Sequence, residues 1–322
     1  MQDAQKRRSS RLIALFAVLA MIVAACGGDD EGSGNGDGEG RLAGIDISVG
    51  SKDFDEQLLL GHIMVQAFEA EGANVTDNVD LGGTQVARSA LLGGDIDVYM
   101  EYNGTGWAEH LGNEETPSFD PDELTTSVRE QDLEENDIHW LGRAPFNNTY
   151  GFVSSPDVTE ANGGEPFDFD GMAAYLEENS DATLCLESEF PDRADGLVLF
   201  EEATGYEVPD SQITILDTGP IYTQTNENEC DFGEVFTSDG RIGGLDITLV
   251  EDPGVMILYN ISMNTRDDKY QEAPEAFDEI AAELLDPLTQ EMIVDLNTRV
   301  SFEGELPEDV AADYLNEIGF GS

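Results

Sequence analysis

A strand–turn–helix unit and the turn–helix–strand unit that follows it, both within residues 45–107, constrain the fold of this chain more than any other feature. In the first unit, alternating apolar residues end at Gly50, and apolar residues at helical spacing follow until Gly72. In the second unit, a turn at Gly82 leads into another helical segment, and the alternation resumes after Gly94. Repeated units of this kind predict an α/β fold with an open sheet, in which ligands bind at the ends of the strands.

The residues at these predicted strand ends have the chemistry of a binding site. Lys52 directly precedes the first helix, whose N-terminal N–H groups favour an anion. Asp53 and Glu56 have the spacing of a capping box for the same helix. The ring of Tyr102, after the second strand, suits a cation. Together these features predict a site for a zwitterion.

The first 25 residues have the pattern of a secretory signal peptide. Basic residues precede an apolar run at residues 12–25, which is too short for a comfortable transmembrane helix. The run ends at Cys26 in a sequence that resembles the bacterial lipobox, so we expect Cys26 to be lipidated after cleavage; the alternative is an uncleaved anchor. Either arrangement holds the protein outside the cytoplasmic membrane and attached to it. Residues 26–44 are rich in glycine and acidic residues and predict a flexible tether.

Acidic residues outnumber basic ones so strongly that one class of partner is excluded. The sequence has 69 Asp and Glu residues against 14 Lys and Arg residues, a formal net charge of −55. Repulsion from phosphates excludes nucleic acid as a partner. Because molar salt screens such a surface, we interpret the acidity as adaptation to a saline habitat; general acidity for solubility is the alternative.

The cysteines and histidines fit an exported binding protein and indicate no catalytic site. With Cys26 lipidated, Cys185 and Cys230 make an even pair in an oxidising compartment, where they form either a disulfide or two buried thiols. The three histidines lack metal-ligand spacing, and the sequence has no nucleophile elbow and no phosphate-binding loop. We therefore predict no enzyme activity, no metal and no cofactor.

The order of the predicted elements divides residues 45–322 into two lobes. Residues 45–146 are predicted to form the first lobe and residues 147–252 the second, and residues 253–322 return to the first lobe as amphipathic helices. Two α/β lobes joined by two crossover hinges are the architecture of a hinged binding protein, with the ligand cleft between the lobes.

Ordered motifs along the whole of residues 45–322 resemble one family. In chain order they are Gly50-Ser51-Lys52-Asp53-Phe54 with Glu56-Gln57, Leu81-Gly82-Gly83-Thr84, residues 94–105, residues 144–150, Phe190 with Arg193-Ala194-Asp195-Gly196-Leu197, and residues 237–242. This set is similar to the osmoprotectant (glycine betaine, choline, carnitine) solute-binding proteins of ABC importers. The resemblance implies the type II periplasmic-binding-protein fold of that family.

The resemblance also implies a ligand site with two ends. An aromatic box would hold a trimethylammonium group, and its members are Tyr102, Tyr150, Phe236 and Tyr259. A basic and polar side would bind a carboxylate, and its members are Lys52, Gln57, Thr105 and Arg193. Ring faces suit a quaternary ammonium because it has no N–H to donate, and a guanidinium with a nearby lysine suits a carboxylate. The family commonly has tyrosine at the position of Phe236. The alternative role for Arg193 is a salt bridge with Asp192 or Asp195.

The implied function is that of a lipid-anchored receptor that captures glycine betaine or a related quaternary amine and delivers it to an ABC permease in the membrane. The lobes would close because the ligand contacts both of them at once. A sensory or regulatory receptor of the same fold, which binds a small zwitterion without transport, is the alternative. If Lys52 and Arg193 bind a carboxylate, glycine betaine should bind more tightly than choline.

Overall fold

The computed structural model describes residues 40–113 and 117–321, which include the segments predicted to form both lobes. The predicted signal peptide, Cys26 and most of the predicted tether lie outside these residues. Residues 41–44 form a turn in which Leu42 is fully buried, and Arg41 pairs with Glu71 at 2.7 Å. The prediction that the tether extends to Gly44 is therefore wrong, because an apolar side chain and an ion pair fix residues 41–44 to the folded body. In the described part of the chain, no helix is both long and apolar enough to span a bilayer.

Strands and helices are interspersed along the described residues and form two sheets covered by helices, which confirms the predicted α/β class. The strands are β1 (Asp46–Gly50), β2 (Asn74–Asn78), β3 (Val98–Tyr102), β4 (Ile138–Leu141), β5 (Tyr150–Ser154), β6 (Leu184–Leu186), β7 (Ile213–Ile215), β8 (Phe232–Phe236), β9 (Thr248–Leu249) and β10 (Ile261–Arg266). The helices are α1 (Asp55–Ala70), α2 (Thr84–Gly93), α3 (Asn103–Thr105), α4 (Pro121–Asn136), α5 (Pro156–Ala161), α6 (Phe169–Glu178), α7 (Leu197–Thr204), α8 (Thr218–Asn226), α9 (Arg241–Gly244), α10 (Asp267–Tyr270), α11 (Pro274–Leu285), α12 (Gln290–Asn297) and α13 (Pro307–Glu317). Two π-helical segments, Gly106–His110 and Thr298–Phe302, continue α3 and α12.

The first sheet has the strand order β2-β1-β3-β10-β4 and defines the first lobe. β1 is parallel to β2 and β3, whereas β10 runs antiparallel between β3 and β4. The prediction that residues 253–322 contain helices alone is wrong at β10. Residues 261–265 are all buried, including the polar Ser262 and Asn264. The sequence held a signal for this strand, because residues 261–264 alternate between apolar and polar side chains, and the prediction missed it.

The second sheet has the strand order β7-β6-β8-β5-β9 and defines the second lobe. β6 is parallel to β7 and β8, and β5 is antiparallel to β8 and β9. A disulfide joins Cys185 of β6 to Cys230, with 5.9 Å between their Cα atoms. The chain passes from the first sheet to the second after β4 and returns before β10, so two segments connect the lobes.

The C-terminal helices pack on the first lobe. α11 covers β4 and β10, and α13 lies along α1. The ring of Phe277 in α11 meets that of Phe68 in α1 edge-on, with 6.0 Å between the centroids. The Tyr314 hydroxyl in α13 donates a hydrogen bond to the Leu284 carbonyl at 2.6 Å. This packing fixes α1, and with it the loop before α1 that reaches the cleft.

Candidate functional site

A cavity of about 50 Å³ lies between the lobes, at the ends of β1, β3, β5 and β8. It is lined by Lys52, Asp53, Phe54, Gly83, Thr84, Tyr102, Thr105, Asn148, Tyr150, Glu187, Glu189, Thr218, Phe236 and Tyr259. The walls contain six of the eight residues for which the sequence predicts ligand contacts, namely Lys52, Thr105 and the four aromatic residues. The other two, Gln57 and Arg193, are buried behind the walls.

Five aromatic rings form a closed circuit around part of this cavity. Phe54 lies 6.3 Å from Tyr102 and 4.9 Å from Phe236, measured between ring centroids. Tyr259 lies 6.3 Å from Tyr102 and 5.2 Å from Tyr150. The remaining pair, Tyr150 and Phe236, is 5.3 Å apart. These spacings keep the middle of the circuit within the range of cation–π attraction, about 6 Å from a centroid.

Phe54 is the member of this circuit that sequence reasoning missed. It is the residue before α1, and it stacks nearly parallel to Phe236, with 25° between the ring planes. The sequence held a signal for it, because Phe54 ends the motif Gly50-Ser51-Lys52-Asp53-Phe54. Phe54 therefore supplies a ring from the first lobe that stacks on the ring of Phe236 in the second lobe.

Buried carboxylates hold the hydroxyl groups of two of these tyrosines. The Tyr102 hydroxyl donates to Glu56 Oε1 at 2.6 Å, and the Tyr259 hydroxyl donates to Asp195 Oδ2 at 2.7 Å. Burial and the adjacent carboxylates raise the pKa of both phenols well above its ordinary value. The tyrosines are therefore neutral, and the hydrogen bonds fix the positions of their rings.

Glu56 has a different role from the one its spacing predicts. The capping box with Asp53 is not formed, since no side chain caps α1. Glu56 is instead buried, and its carboxylate accepts four side-chain hydrogen bonds of 2.6–2.9 Å, from Tyr102, Asn148, Ser238 and Asn297. Burial raises the pKa of Glu56 even though these donors stabilise the charged form. Glu56 thus connects the first lobe, a connecting segment, the second lobe and α12.

Lys52 already has a carboxylate partner within the protein. Its Nζ lies 2.7 Å from Glu101 Oε1 and 5.2 Å from the centroid of the Tyr102 ring. Burial opposes ionisation of Glu101, but the charge of Lys52 and a hydrogen bond with His110 outweigh it and lower the pKa of Glu101. Gln57 accepts a hydrogen bond from the backbone N–H of Lys52 at 3.3 Å, so it supports the lysine from behind the cavity wall.

Arg193 of the second lobe is paired with Asp195, one of the two partners considered as its alternative. Two contacts of 2.7 and 2.8 Å join the guanidinium to both oxygens of Asp195. Its Nη atoms also reach the hydroxyls of Thr84 and Thr105 in the first lobe, at 3.2 and 3.4 Å, and its Cζ lies 5.6 Å from the centroid of the Tyr150 ring. Arg193 therefore lies beside the cavity and connects the two lobes.

A second arginine makes another direct contact between the lobes. Arg241 of the second lobe lies 2.7 Å from Asp55 at the start of α1, and it is also paired with Asp239 at 2.7 Å. On the other side of the cleft, Glu109 accepts a hydrogen bond from the backbone N–H of Ala194 at 3.2 Å. The lobes thus contact each other around the cavity.

Three acidic residues of the second lobe belong to this region and were missed by sequence reasoning. Glu187 and Glu189 line the cavity. Glu234 in β8 is buried and accepts a hydrogen bond from the backbone N–H of Glu187 at 2.8 Å. Burial raises the pKa of Glu234 to about 8. Among 69 acidic residues, nothing in the sequence distinguishes these three.

A family model described as the substrate-binding domain of an ABC-type glycine betaine transport system matches residues 45–317. The chain is 30% identical over 284 residues to the glycine betaine-binding protein YehZ of Escherichia coli (strain K12), a match that covers 85% of this chain and 91% of the relative. It is 31% identical over 281 residues to a glycine-betaine-binding protein of Pseudomonas aeruginosa, covering 84% of this chain and 87% of the relative.

The fold agrees with that of a solved relative. The apo structure of YehZ from Escherichia coli aligns with a TM-score of 0.60 at 30% sequence identity, over 85% of this chain and 99% of that chain. The match extends across both sheets, so it covers the cavity between them.

Proposed function

Since this chain belongs to the family of substrate-binding domains of ABC-type glycine betaine transport systems, we propose that it captures a quaternary-ammonium solute between its lobes and delivers it to an ABC permease. Substrate-binding proteins of ABC importers act outside the cytoplasmic membrane, and they bind their ligand rather than convert it. The family description and both relatives favour transport over the sensory alternative.

The circuit of five rings is the observation that supports this proposal most directly. A trimethylammonium group cannot donate an N–H hydrogen bond, and an aromatic face is its best partner in a site without water. The circuit is Phe54 together with the four predicted box residues Tyr102, Tyr150, Phe236 and Tyr259. Each desolvated ring is expected to contribute about 0.5–2 kcal/mol to binding. Glycine betaine and choline share this group, so both are candidate ligands.

The other end of the ligand would lie near Lys52, Thr105 and Arg193. Arg193 donates hydrogen bonds of 3.2 and 3.4 Å to the hydroxyls of Thr84 and Thr105. These bonds are longer than its bonds of 2.7 and 2.8 Å to Asp195. A ligand carboxylate that replaced the bonds to the threonines would gain charge-assisted hydrogen bonds. Gln57 would act indirectly, by holding the backbone of Lys52.

The N-terminal sequence suggests how the receptor stays near its permease. Lipidation at Cys26 would anchor the mature protein to the outer face of the cytoplasmic membrane, and residues 27–40 would serve as the tether. The net charge of −55 fits a saline external medium.

Titration calorimetry on the mature protein in molar NaCl tests the proposed ligand class. Glycine betaine and choline should bind, whereas glycine, which has the carboxylate but no methyl groups, should not. The Tyr150→Ala variant should bind both quaternary ligands more weakly, by a similar factor. Binding of glycine without binding of either quaternary amine would refute the proposal.

A further inference from the structure

The carboxylate of Glu189 lies at the end of the cavity that is next to the start of α2. It comes from the second lobe and lines the cavity together with Thr84 and Thr105 of the first lobe. One of its oxygens is so close to Gly83 that a β-carbon on this glycine would collide with it. The other oxygen is 3.5 Å from Nη1 of Arg193. An acidic side chain of one lobe therefore lies against the start of α2 in the other.

The surroundings of Glu189 favour an anion. α2 has ten residues and no side-chain cap, so its N-terminal N–H groups and its dipole attract negative charge. Gly83 allows an oxygen to approach the backbone because it has no side chain. Arg193 adds a positive charge on the second lobe. The same features would attract the carboxylate of a zwitterionic ligand.

Glu189 is held much more loosely than the other acid beside Arg193. Its ion pair measures 3.5 Å and its side chain is 32% exposed, whereas Asp195 is paired at 2.7 Å with a side chain that is 1% exposed. A weak and partly solvated ion pair costs little to break, but a buried one costs several kcal/mol. Glu189 can therefore turn out toward solvent, while Asp195 stays in place.

We propose that Glu189 is a specificity-determining residue, whose carboxylate competes with a ligand carboxylate for the space beside Arg193, Gly83 and Thr84. A betaine-type ligand must displace Glu189 against the repulsion of two like charges. A choline-type ligand ends in a hydroxyl, which can donate a hydrogen bond to Glu189 and leave it in place. This inference rests on the proposed function, and it predicts that the chain discriminates against zwitterions at this end of the cavity.

Glu189→Gln tests the competition, because glutamine keeps the shape of the side chain and removes its charge. Calorimetry should show glycine betaine binding about three- to tenfold more tightly to this variant than to the wild type, while choline binds equally or more weakly. Glu202→Gln is the matched control. Glu202 is an exposed acid in α7 of the same lobe, and its loss changes the net charge equally.

The ratio of the two dissociation constants decides the inference. The inference would be overturned if Glu189→Gln left the ratio unchanged, or shifted it only as much as Glu202→Gln does. Glu189 would then act through the net charge of the protein or through closure of the lobes, and not by competing with the ligand carboxylate. If the wild type bound neither ligand, the proposed function itself would fall, and this inference with it.

Discussion

The guanidinium of Arg193 is held by Asp195 through two contacts, 2.7 Å from Nε to Oδ1 and 2.8 Å from Nη2 to Oδ2. Both residues are buried, and Asp195 also accepts a hydrogen bond from the Tyr259 hydroxyl at 2.7 Å. The pair therefore connects the basic end of the cavity to the ring circuit. The pair also limits how strongly Arg193 can bind a ligand, because the shortest hydrogen bonds of Arg193 are already made to Asp195.

Removing Arg193 should affect ligands with and without a carboxylate differently. In Arg193→Ala the charge of Asp195 loses its partner, and a ligand carboxylate loses a charged donor. We expect glycine betaine to lose about 1.5–3 kcal/mol of binding free energy and choline to lose less. Calorimetry with both ligands measures the two losses.

The double variant Arg193→Ala with Asp195→Ala separates these effects, because it removes the unpaired acid as well. It should bind betaine more weakly than the wild type while unfolding at a higher denaturant concentration than Arg193→Ala alone. An unchanged betaine-to-choline ratio in Arg193→Ala would identify Arg193 as a purely structural partner of Asp195.

Phe54 should contribute to binding through its ring. Phe54→Ala opens the circuit between Tyr102 and Phe236, so glycine betaine and choline should both lose about 0.5–2 kcal/mol. Phe54→Leu, which keeps apolar volume without a π face, should lose nearly as much. Phe119→Ala is the control, since Phe119 is an exposed phenylalanine of the first lobe. Equal affinities for wild type and Phe54→Leu would show that the ring only fills space.

Glu234 should make the stability of the protein depend on pH. Its pKa rises from 4.5 to about 8 on folding because the side chain is buried. Below pH 4.5 it is protonated in both states. Between that pH and about 8 the unfolded chain gives up a proton that the folded chain keeps, so the free energy of unfolding falls as pH rises.

Glu234→Gln should remove this dependence, because glutamine stays neutral and can still accept the hydrogen bond from Glu187. Urea unfolding should show no difference from the wild type near pH 4 and a variant more stable by roughly 2–4 kcal/mol at pH 8. Glu202→Gln should match the wild type at both values. A constant difference across this range would mean that Glu234 is ionised in the folded protein.

Salt should stabilise the folded chain. With 69 acidic residues against 14 basic ones, the compact state repels itself, and the screening length falls from about 10 Å at 0.1 M to about 3 Å at 1 M salt. The thermal midpoint should therefore rise between about 0.1 M and 2 M NaCl. Potassium chloride should have a similar effect, since screening depends on ionic strength. A flat midpoint would contradict the interpretation of the acidity as adaptation to salt.

Local sequence patterns were sufficient for much of the fold, and the resemblance to the family implied six residues of the cavity wall. Helical spacing and glycine turns predict α1 and α2 because these signals act within a few residues. Tyr102 follows from its place at a strand end, whereas Tyr150, Phe236 and Tyr259 were implied by the resemblance to the family. The same reasoning listed Phe54 in a motif but could not show that its ring faces Phe236, which lies 182 residues further along the chain.

The sequence by itself determined the α/β class, the motif order and the charge, because periodicity, glycine and composition are properties of neighbouring residues or of the whole chain. Only the tertiary structure decided which charges are already paired. The four donors to Glu56 lie 46, 92, 182 and 241 residues away from it, and β10 enters the first sheet between β3 and β4, far from both in sequence. Spacing along the chain contains no information about such partners. They become neighbours only when the lobes fold, and the same reason applies to Lys52, which was predicted as a cation for a ligand and lies against Glu101. Arg193 and Asp195 are only two residues apart, and there the sequence offered the salt bridge as an alternative that only the structure could decide.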